Sequence, residues 1–171
     1  GIRVNAVLPT GVNTPMLANE ATGAFFAAFA DDGRNLANAM PVGVVEPGDV
    51  SDAVVWLEPR GGGPNPAHSR AQIVMESREF VPRVRVVSTG SAVGFPNQDP
   101  FRHNVFSKSG PSEFDLGLYG RGDSKDARVE RAGVYPVFCN IHAKMVAFIV
   151  AVPTPYVAQP NPDGRFTITG V

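Results

Sequence analysis

The chain of 171 residues lacks several features that would place it in a common class of proteins. It has one cysteine, Cys139, which excludes an internal disulfide framework. No apolar run approaches the roughly 20 residues that a transmembrane helix needs, so no membrane span is expected. Its 15 basic and 16 acidic side chains give a formal net charge of -1. This balance offers no electrostatic case for binding nucleic acid or an anionic membrane surface.

The chain does contain enough apolar sequence for a core, together with many residues that break helices. Hydrophobic residues make up 43% and charged residues 18%, as in proteins that fold around a packed core. The 18 glycines and 16 prolines favour many turns over long helices. The first residues do not have a signal-peptide pattern and there is no initiator Met. We therefore expect the chain to begin partway through a longer protein.

The composition changes along the chain and predicts several segments. Residues 1–57 are rich in Ala, Val and Asn, and residues 58–70 form a Gly- and Pro-rich linker. From residue 71 onward, short runs of Val, Ile, Phe and Tyr alternate with turn residues, which favours an antiparallel sandwich or barrel. Strands are expected at Ile73–Met75, Val84–Val87, Ala92–Phe95, His103–Phe106, Phe114–Leu118, Gly133–Phe138 and Val146–Val152.

The first segment has the pattern of a small α/β fragment. Arg3–Leu8 is β-branched and alternating, which indicates a short strand, and the Ala-rich stretch Met16–Met40 suits a broken helix. Asp49 or Ser51 can cap a second helix over Asp52–Leu57. A fragment of this size is too small to bury a core on its own.

Three stretches of this segment resemble the last third of the short-chain dehydrogenases, a family of Rossmann type. They are Gly1–Val7, Pro9–Met16 and Val45–Val54. The resemblance implies a vestigial dinucleotide loop whose cofactor-side residues are Thr10, Val12 and Thr14.

Two features that dehydrogenase chemistry requires are missing from the sequence. There is no Gly-rich strand-to-helix turn to admit a pyrophosphate, and none of the three tyrosines has a Lys four residues later. We therefore expect no NAD(P) binding and no dehydrogenase activity, and we interpret residues 1–57 as an incomplete Rossmann fragment.

The cysteine lies in a Cys-x-x-His-x-x-Met pattern formed by Cys139, His142 and Met145, between two predicted strands. A further histidine, His103, stands at the start of an earlier predicted strand. A thiolate, two imidazoles and a weak thioether are the ligand set of a blue-copper centre. With only three His and four Met in the chain, chance rarely produces this spacing.

Other interpretations of the same residues remain open. Each could pack without a ligand, Cys139 as a small buried side chain and Met145 as core filling. A zinc site is a weaker hypothesis because zinc rarely recruits Met. A Cys–His nucleophile is weaker still, since no third group is evident and Met145 would have no role.

Residues 71–152 resemble a cupredoxin, the plastocyanin and amicyanin type of small blue-copper protein. The matching stretches are Phe80–Pro82, Phe95–Asn97, His103–Ser107, Gly133–Tyr135 and Cys139–Met145. The resemblance implies a mainly β, Greek-key sandwich, with the α/β fragment preceding it.

The same resemblance implies a site and partners. His103, Cys139 and His142 would be the strong ligands of a copper ion cycling between Cu(I) and Cu(II), with Met145 the long axial ligand. The backbone N–H of Asn104 would donate to the thiolate, and electrons would pass through the edge of His142. A redox protein donor and acceptor are implied, as is a periplasmic or extracellular location.

The last segment, residues 153–171, resembles the opening of a carboxypeptidase-regulatory-like β module. The stretches Thr154–Tyr156 and Asp163–Val171 carry this resemblance, and the chain stops before such a module could fold.

The function expected from the sequence is one-electron transfer by a type 1 copper site rather than catalysis. A non-redox copper carrier or a structural copper domain is the first alternative. A join of a dehydrogenase fragment and a cupredoxin with no combined function is the second.

Overall fold

The computed structural model describes residues 2–7, 52–61, 63–64, 66–108, 110–161, 163 and 165–171, with the backbone alone for residues 2–7. In these ranges the chain forms strands and no α-helix, and so no helix that could cross a membrane. The strands are β1 (Ile2–Val7), β2 (Val54–Pro59), β3 (Arg70–Gln72), β4 (Val74–Glu76), β5 (Glu79–Val81), β6 (Val84–Ser88), β7 (Ser91–Pro96), β8 (His103–Ser107), β9 (Phe114–Tyr119), β10 (Ser124–Val129), β11 (Gly133–Phe138), β12 (Val146–Val152) and β13 (Val157–Ala158).

Two sheets form a β-sandwich. One has three strands in the order β10-β7-β3, and the other has five in the order β6-β12-β11-β8-β9. Buried side chains from both sheets form one apolar cluster, which includes Phe95 of β7, Val129 of β10 and Ile149 of β12. The expected mainly β sandwich is confirmed for the described part of the chain.

Strand β11 shows how the alternation of side chains builds this core. Tyr135 and Val137 are two residues apart, so they lie on the same face of the strand, and both are fully buried. The Tyr135 hydroxyl donates a hydrogen bond to the Arg131 carbonyl at 2.8 Å, which ties the strand to the turn before it. Cys139 continues the same spacing and belongs to the same cluster, so the core face of β11 leads directly to the thiol.

A third sheet, in the order β1-β2-β13, adds a second apolar cluster. Val54 of β2 is fully buried and packs with Val84 of β6 and with Phe148, Val150 and Val152 of β12. Strand β12 alternates between the two clusters, since Ala147, Ile149 and Ala151 belong to the first and their neighbours to the second. The residues of β12 are therefore almost all buried, as expected of a strand covered on both faces.

The helix expected over Asp52–Leu57 is wrong, because Val54–Pro59 is a strand. It pairs antiparallel with β1 and with β13, and these ladders satisfy its backbone groups. The β-branched and aromatic run that begins at Val54 favours this conformation, and the pairing outweighs the capping signal before it. The strand expected at Arg3–Leu8 corresponds to β1, whereas the helix expected at Met16–Met40 lies outside the described residues.

Strands also lie in the segments expected to be a linker and a separate module. β2 ends at Pro59, and β3 begins at Arg70, at the two ends of the 58–70 segment. Just before β3, the backbone N–H of Ser69 donates to the Ser91 hydroxyl at 3.0 Å. In the last segment, β13 pairs with β2 through the registers Val157–Trp56 and Ala158–Val55. The assignment of residues 1–57, 58–70, 71–152 and 153–171 to separate units stays a prediction.

Candidate metal centre

Three of the four ligands predicted from the sequence lie together. One potential donor atom from each of His103, Cys139 and His142 falls within 4.8 Å of the others. The Cys139 Sγ atom is 3.8 Å from His103 Nδ1, and the two histidine Nδ1 atoms are 3.2 Å apart. The thiol and two imidazole nitrogens thus face a common point.

Neighbouring strands bring these side chains together. His103 is the first residue of β8, and Cys139 directly follows β11. The two strands pair antiparallel at Phe106 and Phe138, which places their site-bearing ends side by side. His142 lies in the short loop between β11 and β12, where the backbone N–H of Met145 donates to the His142 carbonyl at 2.9 Å.

Met145 lies at the inner side of this loop. It is the residue before β12, its side chain is almost fully buried, and it belongs to the same apolar cluster as Cys139. The fold therefore keeps the thioether on the core side of the loop, while its role as an axial ligand stays a prediction.

Burial decreases from one side of the site to the other. His103 is fully buried and Cys139 is 4% exposed, whereas His142 is only half-buried. Beside His142 lie two exposed apolar side chains, Phe101 at 43% and Ile141 at 49% exposed. The Phe101 ring meets the His142 ring edge-on at a centroid distance of 6.5 Å. The His142 side is thus the more exposed side of the site.

Asp99 holds the second ring nitrogen of His103. Its Oδ2 atom lies 2.8 Å from His103 Nε2, and the histidine is fully buried. Burial opposes ionisation of the Asp99 carboxyl, but hydrogen bonds from the backbone of Arg78 and Ser77 and from His103 outweigh it. The pKa of Asp99 is therefore below its usual value.

Asn97 fixes the loop that carries Asp99. Its Oδ1 atom accepts a hydrogen bond from the Asp99 backbone N–H at 3.0 Å. Its Nδ2 group donates to the carbonyls of Phe101 at 2.8 Å and Tyr119 at 3.3 Å. The sequence interpretation missed Asp99, although an acidic residue four positions before the candidate ligand His103 was the available signal.

Asn104 is the residue predicted to bond the thiolate. Its side chain is nearly buried, and its Nδ2 group donates to Asp115 Oδ1 at 2.8 Å. Its Oδ1 atom is buried and has no hydrogen-bond partner among the residues that the structure describes. The predicted bond from its backbone N–H to Cys139 stays a prediction.

Tyr119 stands opposite His103 in the pairing of β9 with β8. Its hydroxyl donates to the Phe95 carbonyl at 2.8 Å. Burial raises the pKa of the Tyr119 phenol above its usual value, and the electrostatic interaction with nearby Cys139 adds to the shift. Tyr119 is 3% exposed, so its phenol lies in the core beside the end of the strand that carries His103.

The chemistry of the donor set fits a copper ion. Thiolate and thioether are soft ligands that suit Cu(I), and imidazole suits both oxidation states of copper. A set of two histidines and one cysteine with a weakly held Met is typical of blue-copper centres. Structural zinc sites are closed by Cys and His and rarely include Met, so Met145 fits zinc less well.

Comparisons with curated proteins match about a third of the chain, and no protein-family model matches it. An uncharacterised oxidoreductase of Mycobacterium tuberculosis (strain CDC 1551 / Oshkosh) is 49% identical over 61 residues, covering 33% of this chain and 21% of that protein. A short-chain type dehydrogenase/reductase of Mycolicibacterium smegmatis is 41% identical over 64 residues, covering 33% and 23%. The chain thus spans less than a quarter of the length of these relatives.

Solved structures similar to the chain carry copper-protein names. A copper-containing nitrite reductase from Thermus scotoductus has a TM-score of 0.47 and 24% identity, covering 54% of this chain and 24% of that one. A purple cupredoxin from Nitrosopumilus maritimus has a TM-score of 0.44 and 22% identity, covering 48% and 99%. Amicyanin from Paracoccus versutus has a TM-score of 0.46 and 19% identity, covering 50% and 84%.

The expected resemblance to short-chain dehydrogenases is confirmed for about a third of the chain. The solved structures similar to the chain include cupredoxins by name, and the curated relatives match its first third. The residues expected beside a dinucleotide, Thr10, Val12 and Thr14, lie outside the described residues.

Proposed function

We propose that the chain binds one copper ion through His103, Cys139 and His142, with Met145 as a weak fourth ligand, and passes single electrons. The observation that carries the proposal is the convergence of the three donor atoms within 4.8 Å. The sequence spacing and the folded arrangement select the same residues, although His103 is 36 positions from Cys139.

The copper ion, when bound, supplies the one-electron couple, and the protein's contribution is to hold the donors still. His103 and Cys139 are fixed at the ends of two paired strands, and both are buried. Packed interiors resist displacement, so the donors keep their positions when the charge at the site changes. Little rearrangement is needed between the two oxidation states, which favours fast electron transfer.

We propose that electrons enter and leave through the half-buried His142. Exposed Phe101 and Ile141 beside it offer an apolar contact surface for another redox protein. The site's other histidine, His103, is fully enclosed and cannot reach a partner. A periplasmic or extracellular location for residues 71–152 belongs to the same proposal.

A Cu(II) titration of the purified chain, followed by visible absorption and electron paramagnetic resonance, tests this function. An intense thiolate-to-copper band with narrow hyperfine splitting is expected in the wild type, and it should be absent in Cys139→Ser. Tight copper binding without the band would favour a carrier or a structural copper domain. No copper binding would refute the proposed function.

A further inference from the structure

We infer that the turn between β4 and β5 sets the ligand geometry of His103 by fixing Asp99 through two backbone hydrogen bonds. This inference rests on the proposed copper site. Asp99 is here a positioning residue, which acts on the site through the histidine. Three connected observations carry the inference: the conformation of the turn, the hydrogen bonds of the carboxylate, and the direction of the free imidazole nitrogen.

The turn has an unfavourable backbone for its residues. Glu76 pairs with Glu79, so Ser77 and Arg78 alone connect the two strands. Ser77 has φ of 56° and Arg78 has φ of 62°, both in the left-handed region. Two-residue hairpin turns of this kind strongly prefer Asn and Gly, because side chains crowd the backbone there. Such conformations persist where the surrounding structure holds them, often at functional sites.

The strained turn presents two backbone donors to one carboxylate. The Ser77 N–H donates to Asp99 Oδ1 at 2.7 Å, and the Arg78 N–H donates to Asp99 Oδ2 at 2.9 Å. Asp99 is 5% exposed, so these bonds replace water and fix the orientation of the carboxylate. Its Oδ2 atom also meets His103 Nε2.

The carboxylate determines which nitrogen of His103 carries the proton. An ionised carboxylate only accepts hydrogen bonds, so the proton on the neutral ring lies on Nε2. The Nδ1 atom then keeps its lone pair, and it is this atom that faces Cys139 Sγ and His142 Nδ1. Asp99 therefore holds the ring in the tautomer and orientation that a metal ligand needs.

A carboxylate behind a ligating imidazole also makes the imidazole a stronger donor. A stronger donor favours Cu(II) over Cu(I), because the more highly charged ion gains more from it. Loss of such a partner commonly lowers metal affinity by about 10- to 100-fold. We expect Asp99→Asn to lower Cu(II) affinity by that factor and to raise the reduction potential. If Cu(I) affinity is unchanged, each tenfold loss of Cu(II) affinity raises the potential by about 59 mV.

Two control variants separate this role from general effects. Asp126→Asn makes the same change in a carboxylate that pairs with Arg70 at 2.9 Å in an exposed position. It should leave the copper affinity and potential unchanged. Ser77→Gly keeps the N–H that donates to Asp99 and suits a left-handed backbone, so the copper spectrum should be retained.

Nitrogen NMR of the imidazoles in the copper-free chain provides a second measurement that needs no metal. His103 should be the Nε2–H tautomer in the wild type, and this preference should weaken in Asp99→Asn. An Nδ1–H tautomer in the wild type would overturn the inference even if Asp99→Asn failed to fold.

The outcomes distinguish the inference from the function on which it rests. A wild-type chain with a type 1 spectrum, but equal Cu(II) affinity and potential in Asp99→Asn, would overturn the positioning role and leave the function standing. A wild-type chain that binds no copper would refute the function. In that case the NMR measurement alone would decide whether Asp99 fixes the ring of His103.

Discussion

Replacing Val54 by Ala tests whether β2 packs against the sandwich. The question arises because Val54 ends a stretch that resembles the short-chain dehydrogenases. Val54 is fully buried and contacts a cluster that includes Val84, Phe148 and Val150. The substitution removes two methyl groups, each worth about 0.8 kcal/mol of transfer free energy. The cavity adds a further cost where neighbours cannot close in. We expect the free energy of unfolding to fall by about 2 kcal/mol.

Urea unfolding is a suitable assay because the chain has one tryptophan, Trp56, and it lies in β2. Its fluorescence reports on that strand, while far-ultraviolet circular dichroism reports on all the sheets. With a urea dependence of about 2 kcal/mol per molar, the midpoint should fall by about 1 M in Val54→Ala. The two signals should change together in the wild type.

Val171→Ala is the matched control, since Val171 is 63% exposed and the same two methyl groups are lost. It should leave the midpoint nearly unchanged. Equal midpoints for the two variants would refute the packing of Val54. A Trp56 transition at lower urea than the circular dichroism transition would show that β2 unfolds separately from the sandwich.

Tyr135→Phe removes the hydroxyl that donates to the Arg131 carbonyl and should lower the free energy of unfolding by about 1 kcal/mol in urea. An unchanged midpoint would mean that water replaces this bond. The pKa of Asp99 is lowered by folding, so its contribution is present above the unfolded value of 3.8 and is lost as pH falls through the folded pKa. Unfolding below about pH 5 should therefore depend less on pH in Asp99→Asn, and equal dependence would contradict this reasoning. Met145→Leu removes a weak ligand and should raise the reduction potential while retaining the thiolate band, as voltammetry and absorption would show. An unchanged potential would argue against Met145 as a ligand.

Strands with several inward apolar residues could be predicted from the sequence. β11 and β12 have the expected bounds, Gly133–Phe138 and Val146–Val152, because alternation or continuous apolar character marks them. β10 was not predicted as a strand, since only Ala127 and Val129 of its six residues are buried and its other side chains are polar. Its identity depends on pairing with β7, which local sequence does not reveal.

The helix predicted over Asp52–Leu57 shows a different limit of local patterns. Capping residues and a short apolar run are compatible with either state, and the outcome depends on which partner strands are available. Here β1 and β13, from opposite ends of the chain, pair with β2. Neither partner can be inferred from the residues of β2 itself.

The candidate ligands could be predicted because rare residue types at fixed spacing are visible without a fold. The structure brings His103, Cys139 and His142 together, and their role as ligands stays a prediction. Asp99 has a sequence signal in its position four residues before His103, but its hydrogen bonds from Ser77 and Arg78, about 20 residues earlier in the chain, have none. Backbone donors have no side-chain signature, so an interaction of this kind requires a structure.

The parallel pairing of β6 with β12 has a consequence for the order of folding. Val84 lies beside Phe148, although about 60 residues separate them in the chain. Closing so long a loop costs conformational entropy before any contact repays it, which slows folding in proteins with many distant pairings. β12 directly follows the loop that carries His142 and Met145. The site should therefore acquire its geometry late, when this distant pairing closes the sheet. In stopped-flow refolding with Cu(II) present, copper binding should lag behind the formation of the first strands.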